Sequence, residues 1–436
     1  MSVFRRLRPL FLIAILSILT FYQLGNELRK YQSERDLLRF SENLLSTFHQ
    51  YEPVPKNITL RQTAMSSRLH HPEALQEIFT LPTNDLHRMQ EMHASVLNEL
   101  PEYPAQLFHG RGIVMVAGGK YLRVALHSIR MLRRTGTQLP IELWMGDWSE
   151  HDANFCKEVL GMNVQCRILA DYLGDGWVGG YQLKPFAILL SSFEEILLLD
   201  SDNFPIAPID DIFSSSQYLT NGVVVWPDFW ASTTSPYMYQ IIDRPEKFVK
   251  TCETGQLLWN KRTHFRALSL ACYYNFHGPS YFYPLLSLGV KGQGDKETYL
   301  VACEATDQSY AFITADVQSL GYCDDSGFHR TGMAQADPRN ISHTLFFHAN
   351  APKLDAMSLF IYGVMRPGGQ GVASLWGIDG KAIAGFDVEA VAFQELAYVE
   401  CESSIALRYS GLCEQVHRHI DRREKHLMFI GNGTRY

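Results

Sequence analysis

The feature of this 436-residue chain that most constrains its fold is an apolar run, Ile196–Leu199, that ends directly in Asp200-Ser201-Asp202. A continuous apolar run between polar residues predicts a strand buried on both faces, as in a parallel sheet. Open α/β sheets bind their ligands at the carboxyl ends of such strands. Two carboxylates there supply oxygen ligands, which Mg²⁺ and Mn²⁺ prefer. The triplet therefore predicts a metal site that can hold the diphosphate of a nucleotide-activated substrate.

Two structural alternatives compete with a metal site at this triplet. A calcium loop of the EF-hand type is excluded, because Phe204 and Pro205 stand where that loop needs a ligand and a glycine. A cap at the end of the strand, stiffened by Pro205 and Pro208, stays open. The position after a buried strand, close to Lys184 and with a histidine available later in the chain, favours metal binding.

His348 is the histidine that we expect to complete the metal site. It ends the apolar segment Leu345–Phe347, which places it at the end of a further strand, and Lys353 follows within reach of phosphate oxygens. Taken singly, each residue has a more ordinary interpretation: a histidine beside two phenylalanines is usually structural, and a lone lysine is usually a solvated surface charge.

Strand and helix patterns alternate from about residue 110. This alternation predicts an α/β fold, with a mixed, mostly parallel sheet flanked by helices, in one catalytic domain over residues 107–436. The predicted elements are a strand from Gly112 into a glycine turn, helix Tyr121–Arg133, strand Ile141–Met145, a helix near Glu150–Leu160, strand Val164–Leu169, helix Pro185–Ser192 and strand Glu195–Leu199. Further strand or buried-core candidates are Val223–Trp226, Tyr281–Leu288, Ser309–Ile313 and Thr344–His348.

The glycine turn contains Gly118 and Gly119, which are candidates for a nucleotide contact. Glycines let the backbone approach a ligand closely, and the following helix begins with unpaired N–H groups. The turn matches neither the dinucleotide fingerprint nor the P-loop, so a simple connection between strand and helix stays open.

A second pair of carboxylates, Asp295 and Glu297, follows a glycine-rich stretch. At this spacing they are candidate catalytic residues that bind sugar hydroxyls or stabilise positive charge at an anomeric carbon. Acidic residues also favour the first turn of a helix, and both interpretations can hold together.

An aromatic segment after the predicted strand Val223–Trp226 is a candidate acceptor site. Trp226 and Trp230 offer flat apolar faces that match one side of a pyranose, and Asp228 between them can accept sugar hydroxyls. For any single aromatic residue of this segment, core packing is the more ordinary role.

The N-terminal region predicts a membrane protein. Residues 1–9 contain three arginines and form a cytoplasmic tail; the apolar residues 10–25 form a signal anchor, and the polar residues 26–106 form a lumenal stem. A cleaved signal peptide is the alternative for the apolar stretch, and packing of the stem on the catalytic domain is the alternative for the rest. A net charge of −7 argues against a nucleic-acid partner.

Eight cysteines, all after residue 155, agree with an oxidising lumenal compartment and permit up to four disulfides of unassigned pairing. No two of them form a CxxC pair, so a zinc site is not expected. Candidate N-glycosylation sequences begin at Asn57, Asn340 and Asn432.

Several blocks of the chain, in order, resemble the fungal Golgi alpha-mannosyltransferase family that extends mannan outer chains. They are Gly110–Val114, Ile141–Trp144, Tyr181–Ile188, Glu195–Asn203, Gly294–Thr298 and His348–Lys353. The resemblance covers roughly residues 107–360 and implies a GT-A-like fold on a type II Golgi membrane protein, with partner subunits of a transferase complex as one option.

The resemblance also implies a reaction and residue roles. Mannose would pass from GDP-mannose to a mannoside acceptor with retention, and the alpha-1,2 linkage is favoured over alpha-1,3. Asp202 would bind Mn²⁺ (or Mg²⁺), Asp200 would contact the ribose or a metal-bound water, and His348 would complete the coordination. Lys353 would meet the diphosphate. Two alternatives remain: a transferase for another sugar nucleotide, and a non-catalytic lumenal glycan-binding subunit.

Overall fold

The structure is a computed structural model that describes residues 31–53, 58, 60, 62–64, 78, 80–247, 250–290, 294–365, 371–407 and 411–433. The predicted tail and signal anchor at 1–25, and the candidate glycosylation sequence at Asn57, lie outside these residues. Within them, we find no helix with the length and apolar character that a membrane crossing requires.

A seven-stranded sheet with the order β3-β2-β1-β4-β7-β6-β8 forms the centre of the domain. Strands β1 to β4 are mutually parallel, whereas β7 runs antiparallel to both of its neighbours, β4 and β6. The strand bounds are β1 Arg111–Val116, β2 Ile141–Met145, β3 Val164–Ile168, β4 Glu195–Asp200, β6 Val223–Ala231, β7 Lys250–Asn260 and β8 Ala311–Phe312. The predicted α/β class, with a mixed and mostly parallel sheet, is confirmed.

A smaller antiparallel sheet with the order β5-β11-β10-β9 lies beside the carboxyl end of β4. It consists of β5 Asn203–Pro205, β9 Gln318–Asp324, β10 Gly327–Asp337 and β11 Asn340–His348. Because β5 begins directly after the aspartate triplet, this sheet attaches the last third of the domain to the predicted metal site.

Fifteen α-helices surround the two sheets in the parts of the chain that the structure describes. They are α1 at residues 31–50, α2 Thr83–Glu99, α3 Leu122–Arg134, α4 Ala153–Leu160, α5 Ala170–Leu173, α6 Leu183–Leu190, α7 Ser216–Asn221, α8 Pro236–Ile241, α9 Lys261–Phe276, α10 Tyr283–Ser287, α11 Lys296–Ala305, α12 Ala356–Ile361, α13 Gly377–Ala384, α14 Val388–Cys401 and α15 Leu412–Gly433.

Strand β4 is buried on both faces, as its apolar run predicted. Ile196 and Leu198 point into one hydrophobic cluster and Leu197 and Leu199 into another, and all four are at most 1% exposed. Burial of each such side chain stabilises the fold by about 1.5–3 kcal/mol. The strand that carries the aspartates is therefore held rigidly from both sides.

Residues 281–288, predicted as a strand or buried core, are buried core and not a strand. They contain the end of a single π-helical turn, Gly278–Phe282, and helix α10. Strand β7 and helix α9 were not predicted at all, because the first half of β7 is polar and its pairing partners lie far away in the sequence.

The described helices within residues 26–106 pack on the α/β domain of residues 107–436. Leu37, Leu44 and Phe48 of α1 are buried in the main hydrophobic cluster, and Arg167 of β3 forms an ion pair of 2.7 Å with Glu34. His93 of α2 lies 2.7 Å from the hydroxyl oxygen of Tyr274 in α9. These two helices therefore pack on the domain, which is the alternative to an extended stem.

Two disulfides join neighbouring elements. Cys156 of α4 pairs with Cys166 of β3, and Cys401 at the end of α14 pairs with Cys413 of α15. The other four cysteines are free: Cys252, Cys272 and Cys303 are buried, and Cys323 is exposed.

Candidate active site

The carboxyl end of β4 brings the predicted metal ligands together. Asp200 is the last residue of β4, and the chain then turns through Ser201 and Asp202 into β5. Strand β11 pairs antiparallel with β5 and sets His348 opposite Asn203. Side-chain ligand atoms of Asp200, Asp202 and His348 lie within 4.8 Å of one another. Two carboxylates and an imidazole at this separation fit a divalent cation.

Three cationic groups surround the two aspartates. Lys184 of α6 places Nζ 2.8 Å from Asp200 Oδ1, and His348 Nε2 is 3.1 Å from Asp202 Oδ1. Lys353 contacts the other oxygen of Asp202. The site therefore concentrates two negative charges and surrounds them with groups that can also meet phosphate oxygens.

The pKa values reflect this arrangement. Burial alone would raise the pKa of Asp202, but the adjacent His348 and Lys353 outweigh it and hold that pKa below its ordinary value. Burial raises the pKa of Asp200 despite the attraction of Lys184. Burial lowers the pKa of His348, yet the attraction of Asp202 outweighs it and raises that pKa to about 9. Without a metal, His348 is thus protonated at neutral pH, and a metal ligated by its ring must displace a proton.

A cavity of about 500 Å³ opens over these residues, a size typical of small-molecule sites. Its walls come from β4, β6, β7, β10, α11 and the segment after β11. The lining residues include Tyr181, Lys184, Asp200, Asp202, Asp228, Trp230, Glu253, Thr254, Asp295, Lys296, Arg330, His348, Asn350 and Lys353. Most of these side chains are polar, which suits a phosphorylated sugar.

The predicted catalytic pair is split by the structure. Asp295 lines the cavity, where it lies 3.7 Å from Lys184 Nζ and accepts a hydrogen bond of 3.3 Å from Thr254 Oγ1. Glu297 is buried against Thr251 and is not among the cavity-lining residues. Helix α11 begins at Lys296, and residues two apart on a helix point about 200° away from each other. The structure therefore separates the two predicted catalytic carboxylates: Asp295 faces the cavity and Glu297 does not.

The aromatic segment is also split. Trp226 is completely buried and donates from Nε1 to the carbonyl oxygen of Ala336, 2.8 Å away, so it is a core residue and not an acceptor contact. Asp228 and Trp230 both line the cavity. The guanidinium of Arg330 stacks 4.4 Å from the ring centre of Phe229, beside Trp230.

The glycine turn after β1 does not line the large cavity. A side chain at Gly118 would overlap the carboxylate of Glu150, and Gly119 adopts a positive φ of 53° that favours glycine. Glu150 in turn lines a smaller cavity of about 110 Å³ at the ends of β2 and β3. Turn packing accounts for both glycines, and a nucleotide contact at this turn stays a prediction.

Sequence reasoning missed the contribution of β7 to the site. This strand runs antiparallel to β4 with Leu199 opposite Gln256, so the residues that precede Gln256 extend past the end of β4 towards Asp202. They include Glu253 and Thr254, which line the cavity. One sequence pattern could have identified this strand. The polar residues Glu253–Gln256 stand directly before the apolar run Leu257–Trp259, which is the order of β4 reversed, as in an antiparallel neighbour.

The structure thus combines an α/β domain with a carboxylate pair at the end of a central strand, facing a polar cavity. A mannosyltransferase family model matches residues 110–249 and 244–337, more than half of the chain. The chain belongs to this mannosyltransferase family.

Curated relatives are fungal. The chain is 35% identical over 328 residues to alpha-1,2-mannosyltransferase MNN24 of Candida albicans. This match covers 64% of this chain and 46% of that protein. It is 29% identical to MNN21 of the same organism, over 87% of this chain and 74% of that protein. It is 32% identical to MNN2 of Saccharomyces cerevisiae, over 61% and 54%. The chain spans about half the length of most of these relatives.

Among solved structures, the chain is similar to the glycosyltransferase GlyE of Streptococcus pneumoniae TIGR4, with 14% identity and a TM-score of 0.31 over 47% of this chain and 45% of that one. It is also similar to the galactosyltransferase LgtC in complex with donor and acceptor sugar analogues, with 13% identity and a TM-score of 0.31 over 46% and 72%.

Proposed function

We propose that this chain is a metal-dependent alpha-mannosyltransferase that moves mannose from GDP-mannose to a mannoside acceptor of glycoprotein glycans, with retention and with an alpha-1,2 linkage. The observation that carries the proposal is the cluster of Asp200, Asp202 and His348 at the end of β4, flanked by Lys184 and Lys353. Membership of a mannosyltransferase family, and relatives named alpha-1,2-mannosyltransferases, support the choice of sugar and linkage.

The donor set fits Mn²⁺ or Mg²⁺, and the imidazole favours Mn²⁺ because magnesium prefers oxygen ligands alone. Asp202 and His348 would hold the ion directly, with Asp200 at the ribose or at a metal-bound water. A bound divalent cation neutralises charge on the departing nucleoside diphosphate. Lys353 would bind the diphosphate, and Lys184 fixes Asp200 through an ion pair of 2.8 Å.

Asp295 is the carboxylate that we assign to the transferred sugar. It lines the cavity at the start of α11, and Lys184 lies between it and Asp200. Retention of the anomeric configuration requires either a carboxylate nucleophile or attack from the face of the leaving group. Asp295 is the candidate for the carboxylate nucleophile. Trp230 and Arg330 line the same cavity on β6 and β10, and we assign them to the acceptor.

We further propose a Golgi membrane protein of type II topology, with a cytoplasmic tail at residues 1–9, an anchor at 10–25 and a lumenal catalytic domain. Support comes from the arginines before the apolar stretch and from the two disulfides, which suit an oxidising compartment.

The test uses the full chain, because α1 and α2 pack on the catalytic domain. Release of GDP from GDP-mannose, stimulated by Mn²⁺ and by a mannobiose acceptor, is the expected result. Release of UDP from UDP-glucose or UDP-N-acetylglucosamine instead would indicate another sugar nucleotide. Binding of mannan without any transfer would indicate the glycan-binding alternative.

A further inference from the structure

One ring nitrogen of the His348 imidazole makes no hydrogen bond with the residues that the structure describes. Nε2 lies 3.1 Å from Asp202 Oδ1, whereas Nδ1 is buried and unsatisfied among these residues. A buried polar atom that lacks a hydrogen bond destabilises the folded protein. The other ring nitrogen of a metal-binding histidine usually donates to a carboxylate or a carbonyl, which fixes the ring and raises its basicity.

The carboxylate of Glu253 is the group that faces this nitrogen. Glu253 Oε1 lies 3.6 Å from His348 Nδ1, and the Glu253 residue is 7% exposed. The same oxygen accepts a hydrogen bond of 2.8 Å from the backbone N–H of Gly255. The carboxylate is therefore held in place by its own strand, and a shift of about 0.7 Å would give an ordinary hydrogen bond.

Gly255 makes room for this approach. A Cβ at position 255 would lie 2.6 Å from His348 Nδ1 and 3.1 Å from Glu253 Oε1. Asn203, which follows the aspartate triplet, donates a hydrogen bond of 2.8 Å to the carbonyl oxygen of Gly255. The register between β6 and β7 also shifts here, since Val224 pairs with Leu258 while Trp226 pairs with Glu253. Such bulges re-aim side chains next to active sites.

We propose that Glu253 is a positioning residue, which accepts the Nδ1–H of His348 and so holds Nε2 towards the divalent cation. The inference rests on the proposed metal-dependent function. A neutral histidine that ligates through Nε2 carries its proton on Nδ1, so the acceptor is needed in the metal-bound state. Because Glu253 also lines the cavity, direct action on the substrate is the competing role that the experiment must separate.

The experiment measures Mn²⁺ binding to the full chain without donor or acceptor, by the electron paramagnetic resonance signal of the free ion. Glu253→Gln keeps the size of the side chain and removes its charge. We expect its Kd for Mn²⁺ to rise about 10- to 100-fold, and kcat at saturating Mn²⁺ to fall by less than this factor. Glu304→Gln is the matched control, because Glu304 pairs with Lys247 and lies outside the cavity lining.

Thermal melting shows whether Glu253→Gln is folded. If it is not, a double-mutant cycle with Glu253→Asp and His348→Ala replaces it. Glu253→Asp should then weaken Mn²⁺ binding in the wild-type background and have no further effect in the His348→Ala background. An unchanged Kd in the Glu253 variants would overturn the inference, and an unchanged Kd with a collapsed kcat would assign Glu253 to the substrate instead.

The same titration separates the inference from the proposed function. If wild type binds Mn²⁺ more tightly than the Glu253 variants but does not use GDP-mannose, the proposed donor is contradicted and the positioning role of Glu253 stands. A wild-type chain that binds no Mn²⁺ would overturn both.

Discussion

Lys296 Nζ lies 2.5 Å from Asp228 Oδ2 in the cavity wall, and both side chains are more than nine-tenths buried. This ion pair connects β6 to the first turn of α11, the helix that follows Asp295. It therefore holds one wall of the cavity against the other.

Removal of one partner of this pair is expected to destabilise the protein. Lys296→Met leaves the Asp228 carboxylate buried without its partner, at a cost of about 3–5 kcal/mol in the free energy of unfolding. Urea denaturation measures the loss, and the double variant with Asp228→Asn should recover part of it. Equal stability of Lys296→Met and wild type would show that the pair is solvated in solution.

Asp295 and Glu297 are expected to differ in their effect on catalysis. Asp295→Asn removes a carboxylate that faces the cavity and should lower kcat by more than about 100-fold. Glu297→Gln alters a buried side chain outside the cavity lining and should leave kcat within a few-fold. Steady-state kinetics with GDP-mannose and mannobiose measures both. Comparable losses in the two variants would place Glu297 in the reaction after all.

Glu297 should also give the stability a specific pH dependence. Burial, only partly offset by Thr251, raises its pKa from the ordinary 4.5 to about 6 in the folded protein. Between these values the folded state keeps the proton that the unfolded state has lost, so stability falls as pH rises through this range, by about 2 kcal/mol. Chemical denaturation at pH 4.5 and pH 7 measures the difference, which Glu297→Gln should reduce. An equal slope in the variant would exclude Glu297 as its source.

Helix α1 is expected to be an integral part of the catalytic domain. Phe48 is completely buried and packs edge to face against Phe186 and Tyr273. Phe48→Ala should therefore lower the free energy of unfolding by about 3–5 kcal/mol. Denaturation of the variant measures this, with Leu38→Ala on the exposed face of the same helix as the control. A negligible effect of Phe48→Ala would indicate a detached stem.

Local patterns in the sequence predicted the parallel half of the sheet and the residues that cluster at its end. The apolar run of β4 identified a buried strand by itself, and the aspartates follow from their place at its end. His348 was found for the same reason, since it ends an apolar strand. In each case the information lies within a few consecutive residues.

What could not be predicted depends on partners distant in the sequence. The polar half of β7 pairs with β6, whereas its apolar half pairs with β4, and these antiparallel pairings bring Glu253 into the site. The split between Asp295 and Glu297 depends on the residue at which α11 begins. The core position of Trp226 depends on a hydrogen bond to Ala336, 110 residues later.

We propose that Asp202 holds a divalent cation that the transfer of mannose requires. The most direct measurement compares wild type with Asp202→Asn for Mn²⁺ binding and for GDP release from GDP-mannose with mannobiose, with Asp324→Asn on the exposed β9–β10 hairpin as the control. We predict that Asp202→Asn loses Mn²⁺ binding and lowers GDP release by more than about 100-fold, because even outer-shell partners of a metal contribute about 10- to 100-fold. Normal Mn²⁺ binding and normal transfer in a folded Asp202→Asn variant would contradict the account.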